Sequence, residues 1–296
     1  YSFSELIRRY PSQPPKVTIK PEEHLASILY TGGTTGFPKG VPSSHAKMLS
    51  SLKDFRDLTE SYIPEGGKDV LLMVIPLFPM MGQEAIMGWG LGKGISVVLM
   101  PVPQVDAILE AIQMYKVTTF VGVPALYRMI LGNDRMNSYD LSSLKYCWCG
   151  GDVLPSDVFK RWHETFHIPL YQIYGTTEMG CVTLSSLDRF PVMGSIGLPI
   201  PSKQIKVVDP DTLEEIPANK VGELLVTSEY GTKSYWNKPE ETSECFVKMN
   251  GRTWNLTKDY VQIDENGLLN YVDRSADIIK YKGYRVSCSE VEAVLQ

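Results

Sequence analysis

Short apolar runs alternate with amphipathic helical patterns along residues 70–174, and this alternation limits the fold more than any other feature of the 296-residue chain. Strand-like runs lie at 70–75, 95–100, 118–122, 144–149 and 170–174, with helical patterns at 106–116, 124–131 and 156–166 between several of them. Continuous apolar runs of this length suit strands covered on both faces, as in a parallel sheet flanked by crossover helices. Val158, Phe159, Trp162 and Phe166 have the spacing of a helix face turned towards such a sheet. Met48, Leu52, Phe55 and Leu58 repeat it in a helix expected over 44–58, which Ser43 or Ser44 is placed to cap. The predicted class is α/β, a mostly parallel sheet with flanking helices.

After about residue 196 the texture changes to short strands between turns, at 203–209, 221–227, 252–256, 260–264 and 268–273, with Asn266-Gly267 as a hairpin signal. A small β-rich, barrel-like subdomain is expected there. The division read from the sequence is a loop-like lead-in at 1–24, an α/β unit at 25–195, the β-rich unit at 196–273 and a last piece at 274–296. In that last piece a strand over 278–286 runs into a helix over 289–295.

The segment Tyr30-Thr-Gly-Gly-Thr-Thr-Gly-Phe-Pro-Lys-Gly40 follows an apolar stretch at 25–30, read as a buried strand, and precedes the first long helix. Glycine lets backbone approach a ligand closely, and exposed N–H groups in such a loop form an anion-binding concavity. Thr31, Thr34 and Thr35 add hydroxyl donors and Lys39 a positive charge, so the segment suits a polyphosphate. It does not contain the Gly-x4-Gly-Lys-Ser/Thr string of the common phosphate loop.

Composition excludes several other classes. A formal charge of −5 gives no electrostatic reason for nucleic-acid binding, and the longest apolar run is far too short to cross a bilayer. No signal peptide is legible at the start, and the five cysteines form neither a disulfide framework nor a zinc spacing. Cys147 and Cys149, alternating along one strand, read as a reduced buried pair. A cytoplasmic setting fits.

The Gly/Thr-rich string resembles the signature loop of the adenylate-forming superfamily: acyl-CoA synthetases, firefly luciferase and peptide-synthetase adenylation domains. The likeness is nearest to medium- or long-chain fatty-acid–CoA ligases. It implies a partial acyl-adenylate synthetase fold and small-molecule substrates: a carboxylic acid, ATP with Mg2+, and coenzyme A. The acid and ATP would give acyl-AMP and pyrophosphate, and coenzyme A would then take the acyl group. By this resemblance Thr31, Gly32, Gly33, Thr34, Thr35, Gly36 and Lys39 hold phosphates, with Thr35 a further metal contact. Tyr174-Gly-Thr-Thr-Glu-Met-Gly180 is similar to a second family signature. There Tyr174 would stack on adenine, Gly175, Thr176 and Thr177 would lie beside the nucleotide, and Glu178 would hold Mg2+ through ATP. Thr176, Glu178 and Lys39 form the implied catalytic set.

Gly150-Gly-Asp-Val-Leu-Pro155 resembles the adenine-pocket segment, with Gly150 and Gly151 allowing close approach and Asp152 facing the base. Asp259 matches the family's ribose-binding aspartate and Arg274 the arginine beside it. The family writes Thr-Gly-Asp where this chain has Thr257-Lys-Asp259, so Lys258 is a departure. Ala276 falls on a hinge position usually held by Asp or Lys, and Lys280, Lys282 and Gly283 resemble a loop that approaches coenzyme A.

Pro76-Leu-Phe-Pro-Met-Met-Gly82 is similar to a family segment, Pro-Leu-Phe-His-x-x-Gly, with Pro79 where a histidine gate is usual. Phe78, Met80, Met81 and Gly175 are the expected acyl-pocket residues, joined by Met87 and Trp89. Acetate-specific relatives carry Trp at the position of Gly175, so an acid larger than acetate is expected, medium- or long-chain fatty or aromatic. Residues 75–83 contain no Asp of the kind that pairs with an amino-acid substrate. Alternative readings are a module passing acyl groups to a carrier protein and a non-catalytic nucleotide-binding remnant. The resemblance covers about 23–295, whereas family members extend further at both ends. The expectation is of a fragment without the lysine that bridges carboxylate and α-phosphate, impaired in adenylation. Its apolar sheet edges would invite a partner surface or self-association.

Overall fold

The computed structural model describes residues 2–13, 15–31 and 37–274, with the side chains of 85–88 left out, and the backbone of 278–281 and 284–287. Helix α1 (Phe3–Arg9) precedes strands β1 (Leu25–Thr31) and β2 (Lys39–Ser44). Then follow α2 (His45–Thr59), β3 (Val70–Met73), a π-helical segment Met81–Leu91, β4 (Ser96–Leu99), α3 (Val105–Tyr115) and β5 (Thr119–Gly122). Next come α4 (Pro124–Leu131), β6 (Tyr146–Gly150), α5 (Ser156–Phe166), β7 (Leu170–Thr176) and β8 (Gly180–Leu184). The β-rich part contains β9 (Ser195–Pro199), β10 (Gln204–Val208), β11 (Val221–Thr227), α6 (Pro239–Cys245), β12 (Phe246–Met249), β13 (Arg252–Ile263) and β14 (Leu269–Arg274). A terminal hairpin pairs β15 (Ile278–Tyr281) with β16 (Tyr284–Ser287).

Among the described residues one 12-stranded sheet runs β10-β11-β13-β14-β9-β8-β7-β6-β5-β3-β4, with β12 added to β13. Strands β4, β3, β5, β6 and β7 are mutually parallel, as the alternation with helices predicts. From β7 onward every neighbour is antiparallel. The parallel half has a large core in which Phe120, Trp148 and Leu72 meet Ile108, Tyr127 and Trp162 from the helices. A second core gathers Val41 of β2, Met179 and Val182 with Leu224, Val226, Val261 and Leu269 of the β-rich part.

Several expectations change. The β-rich part does not close into a barrel among the described residues. Instead β9 pairs β8 on one side, Thr183 opposite Pro199, and β14 on the other, Gly197 opposite Leu269, so the same sheet continues. Local patterning specifies strands but not their long-range closure. Residues 1–24 contain α1, stapled by a capping box between Ser2 and Glu5. The stretch 25–30 is not a buried strand but the exposed-to-half-buried strand of a hairpin, and β2, its more buried partner, stands between the Gly/Thr loop and α2. The buried face of α2 carries Lys47, Ser51 and Asp54 beside Phe55, while Leu58 is exposed. That face meets a polar interior rather than an apolar one. The single strand expected at 278–286 is two, and the helix at 289–295 lies outside the described residues.

The strands expected at 252–256 and 260–264 are one strand, β13, interrupted opposite Leu224 by a register shift. Lys258 sits in that bulge with φ 62°, a left-handed conformation that penalises any side chain with a Cβ. Its N–H donates to Glu223 Oε1 at 3.1 Å and its ammonium lies 3.7 Å from the same oxygen. Burial pushes the Glu223 carboxyl above its ordinary range, and Lys258 offsets part of that rise. Lys258→Gly keeps the backbone bond, relieves roughly 1–2 kcal/mol of left-handed strain and forfeits up to about 1 kcal/mol of half-exposed ion pair. We expect the Tm of this variant to rise by about 1–3 °C in calorimetry.

Candidate active site

The β7–β8 hairpin carries Tyr174, Gly175, Thr176 and Glu178, and the elements packed around it set their geometry. At the end of β7 the Tyr174 hydroxyl donates to Asp259 Oδ2 at 2.6 Å. Asp259, only 3% exposed, also accepts from the Tyr271 hydroxyl at 3.2 Å and pairs with Arg274 Nε at 3.3 Å. The strand pairing places Asp259 directly opposite Arg274. Burial lifts the Asp259 carboxyl above its usual range, while Tyr174, Arg274 and Tyr271 draw it back. The predicted Asp/Arg pair is therefore assembled, and Tyr271 is an addition.

The turn 176–180 is held from four sides. Thr176 Oγ1 accepts from Met179 N–H at 3.1 Å, and the Glu178 carbonyl accepts from Thr232 N–H at 3.2 Å. Lys47 Nζ donates to the Thr177 carbonyl at 2.9 Å, and the Tyr235 hydroxyl donates to Glu178 Oε1 at 2.6 Å. Lys39 lies over the Tyr235 ring, 4.6 Å from its centre, and 3.8 Å from Cys245 Sγ. The structure thus brings Lys39, Glu178 and the 174–180 turn to one place. Sequence reasoning missed Tyr235, Thr232 and Lys47. Tyr235 meets Glu178 across 57 positions and Lys47 meets Thr232 across 185, distances that no local pattern encodes.

Gly150 lies opposite Ile173 in the β6–β7 ladder, and Gly151, with φ 84°, faces Met81. Asp152 is exposed, and its carboxylate accepts from Val153 N–H at 2.8 Å, closing its own turn. Gly32, Gly33, Thr34, Thr35, Gly36, Ala276, Lys282 and Gly283, and the side chain of Lys280, lie outside the described residues. Thr31 is half-buried at the end of β1.

Beside the turn is a cavity of ≈ 60 Å³ lined by Phe55, Met80, Met81, Glu84, Gly151, Ile173, Gly175 and Cys181. Of the residues expected in an acyl pocket, Met80, Met81 and Gly175 line this cavity. Phe78 is 77% exposed and does not line the cavity, and Trp89 is buried against Phe55 with Nε1 donating to Thr59 Oγ1 at 3.1 Å. Met87 has no described side chain. An added Cβ at Gly175 meets the Gly180 carbonyl oxygen at 2.5 Å, so this glycine is required by the hairpin itself as well as by the cavity.

The fold is the one found in solved adenylate-forming enzymes. Residues 3–236 match the model of the AMP-binding enzyme family, and the chain belongs to it. It is 33% identical over 299 residues to a 4-coumarate–CoA ligase of Vanilla planifolia, covering 99% of this chain and 53% of that protein. It is 34% identical over 280 residues to a long-chain-fatty-acid–CoA ligase of Bacillus subtilis (strain 168), covering 94% and 49%. The anthranilate CoA ligase AuaEII, solved with anthranoyl-AMP, superposes with a TM-score of 0.88 at 27% identity, covering 99% of this chain and 55% of that one. The chain spans about half the length of the curated relatives it matches. Among the described residues no helix is long and apolar enough to cross a membrane.

Two outcomes follow from this geometry. Gly175→Ala forces apart β7 and β8 and should cost about 1–3 kcal/mol in denaturant unfolding. Lys47, 2% exposed, has its ammonium pulled from 10.5 to about 8 by burial; Lys203 adds to the fall, and Glu84 and Glu178 oppose it. Between pH 8 and 10.5 the unfolded chain keeps a proton that folded Lys47 has lost, so this group makes stability rise with pH there. The full contribution is roughly 3 kcal/mol. Comparing unfolding midpoints at pH 8 and 9.5, Lys47→Met should lack the rise that the parent chain shows.

Proposed function

We propose that the protein activates a hydrophobic carboxylic acid with ATP, releasing pyrophosphate, and passes the acyl group to coenzyme A. The observation that carries this reading is Glu178, fixed by Tyr235 beside Lys39 at the strand end where Tyr174, Asp259 and Arg274 also converge. Asp259 and Arg274 would hold the ribose end of the nucleotide and Lys39 its phosphates, while the neighbouring cavity takes the acid. A hard cation prefers carboxylate oxygen, and ATP supplies most of its ligands, so the half-buried Glu178 fits Mg2+. When bound, the ion would neutralise phosphate charge. The free, buried cysteines Cys147, Cys149, Cys181 and Cys245 support a reducing, cytoplasmic setting.

The acid is the finer question. Gly175 and the Bacillus subtilis relative support a medium- or long-chain fatty acid. The Vanilla planifolia relative supports an aromatic one, and the small cavity, which includes the Glu84 carboxylate among its walls, favours this compact acid over a long tail.

The test is ATP–pyrophosphate exchange by the full-length gene product with acids from acetate to palmitate, plus benzoate and cinnamate. Exchange should be faster with the hydrophobic acids than with acetate, and AMP release should then depend on coenzyme A. Tyr235→Phe, which removes one hydrogen bond to an ionised carboxylate, should lower kcat/KM for MgATP by about tenfold. No exchange with any acid would overturn the reading.

A further inference from the structure

Glu84 is a buried acidic group for which the nucleotide site has no use. It lies in the first turn of the π-helical segment, is 4% exposed, and lines the cavity with Met80, Met81, Phe55, Ile173 and Cys181. Neither carboxylate oxygen has a hydrogen-bond partner. Ser51 Oγ, its neighbour beneath Gly180, is likewise unpartnered. Rare π-helical turns concentrate at functional sites, and this one sets an acidic side chain into a cavity whose other walls are largely apolar.

The electrostatic surroundings narrow what can satisfy Glu84. Burial raises its carboxyl above the ordinary range, and the charges of Lys47 and Lys203 offset part of that rise. Lys47 spends its ammonium on the Thr177 carbonyl and the Thr232 hydroxyl, and forms no ion pair with Glu84 among the described residues. Asp54, also buried, accepts from Ser202 N–H on the far side of the same cluster. Two lysines and two carboxylates leave this interior neutral in formal charge. A cationic ligand group would arrive beside two ammonium groups, whereas a neutral O–H donor would satisfy the carboxylate without changing the balance. A buried carboxylate left without a donor is costly, and an all-hydrocarbon ligand sealing the cavity would leave it so.

Resting on the reading of this cavity as the acyl pocket, we propose that Glu84 is a specificity residue. It selects acids whose apolar body ends in a neutral hydrogen-bond donor, a hydroxyl above all, and rejects their all-hydrocarbon counterparts. The discrimination follows the general asymmetry of such sites. A pocket built around a polar group loses far more with an analogue lacking the donor than an apolar pocket loses by gaining a hydroxyl.

The experiment uses the full-length gene product with 3-(4-hydroxyphenyl)propanoate, 3-phenylpropanoate and 3-(4-(aminomethyl)phenyl)propanoate, read as kcat/KM for pyrophosphate release. The hydroxylated acid should exceed the unsubstituted one by roughly 10- to 100-fold, the worth of one hydrogen bond to a charged group. Glu84→Leu should erase or invert that preference, chiefly through KM. Glu84→Gln, near in shape and checked by its Tm, should reduce it and serves as the test if Glu84→Leu does not fold. A role confined to balancing Lys47 would change Tm but leave the ratio between acids intact, and that result overturns the proposal. Preference for the aminomethyl acid, or equal turnover of all three, also overturns it while leaving the ligase reading standing. No turnover with any acid, including the wider panel above, removes both.

Discussion

A single buried ammonium group holds the site together. Lys47 reaches from α2 to the Thr177 carbonyl and the Thr232 hydroxyl, and the Thr232 hydroxyl in turn donates to the Pro42 carbonyl. Three separated stretches of chain, the hairpin β1–β2 with α2, the β7–β8 turn and the segment before α6, thereby meet at one nitrogen. Burying a cation is expensive unless its donors are used, and here two of the three are. Burial lowers the Lys47 pKa, in the direction that an incompletely compensated cation gives. The return is positional: the turn bearing Glu178 cannot shift without breaking this junction.

The polar interior around Lys47 also explains where the sequence was legible and where it was not. The parallel strands and the helices α3, α4 and α5 follow from apolar periodicity, because each buries a simple stripe against the sheet. Helix α2 breaks the rule, since its inward face carries Lys47, Ser51 and Asp54, and a reading that seeks apolar spacing selects Leu58 instead. The site shows the same split. Residues carried by local strings, such as Lys39, Glu178, Asp259 and Arg274, were found from the strings. Tyr235, Thr232, Tyr271 and Glu84 were not, because each matters through a partner or a cavity wall brought in by the fold. The segment over 80–91 gave no helical signal because its π-helical winding does not repeat at 3.6 residues.

The β-rich part shows how one bridging element decides architecture. Strand β9 is a short strand with Gly197 at φ 93° facing Leu184, and an added Cβ there meets the Leu184 backbone at 2.3 Å. Only glycine permits β8 and β9 to approach this closely, and β9 then offers its other edge to β14. Because the two halves share one sheet, β13 and β14 bring Asp259, Tyr271 and Arg274 directly to the end of β7. A detached barrel would have needed a separate interface to place them.

The two sides of the site differ in how completely their polar groups are satisfied. On the side proposed for the nucleotide, Asp259 has three partners, and Glu178 is held through both its side chain and its carbonyl. Such saturation locks the side chains in one geometry. On the side proposed for the acid, the cavity is lined by adaptable methionines and one unpartnered carboxylate. Among the described residues lining that cavity, Glu84 is the carboxylate with unused hydrogen-bonding capacity, and under the proposal above it would set which acids enter without leaving a charge unpaired.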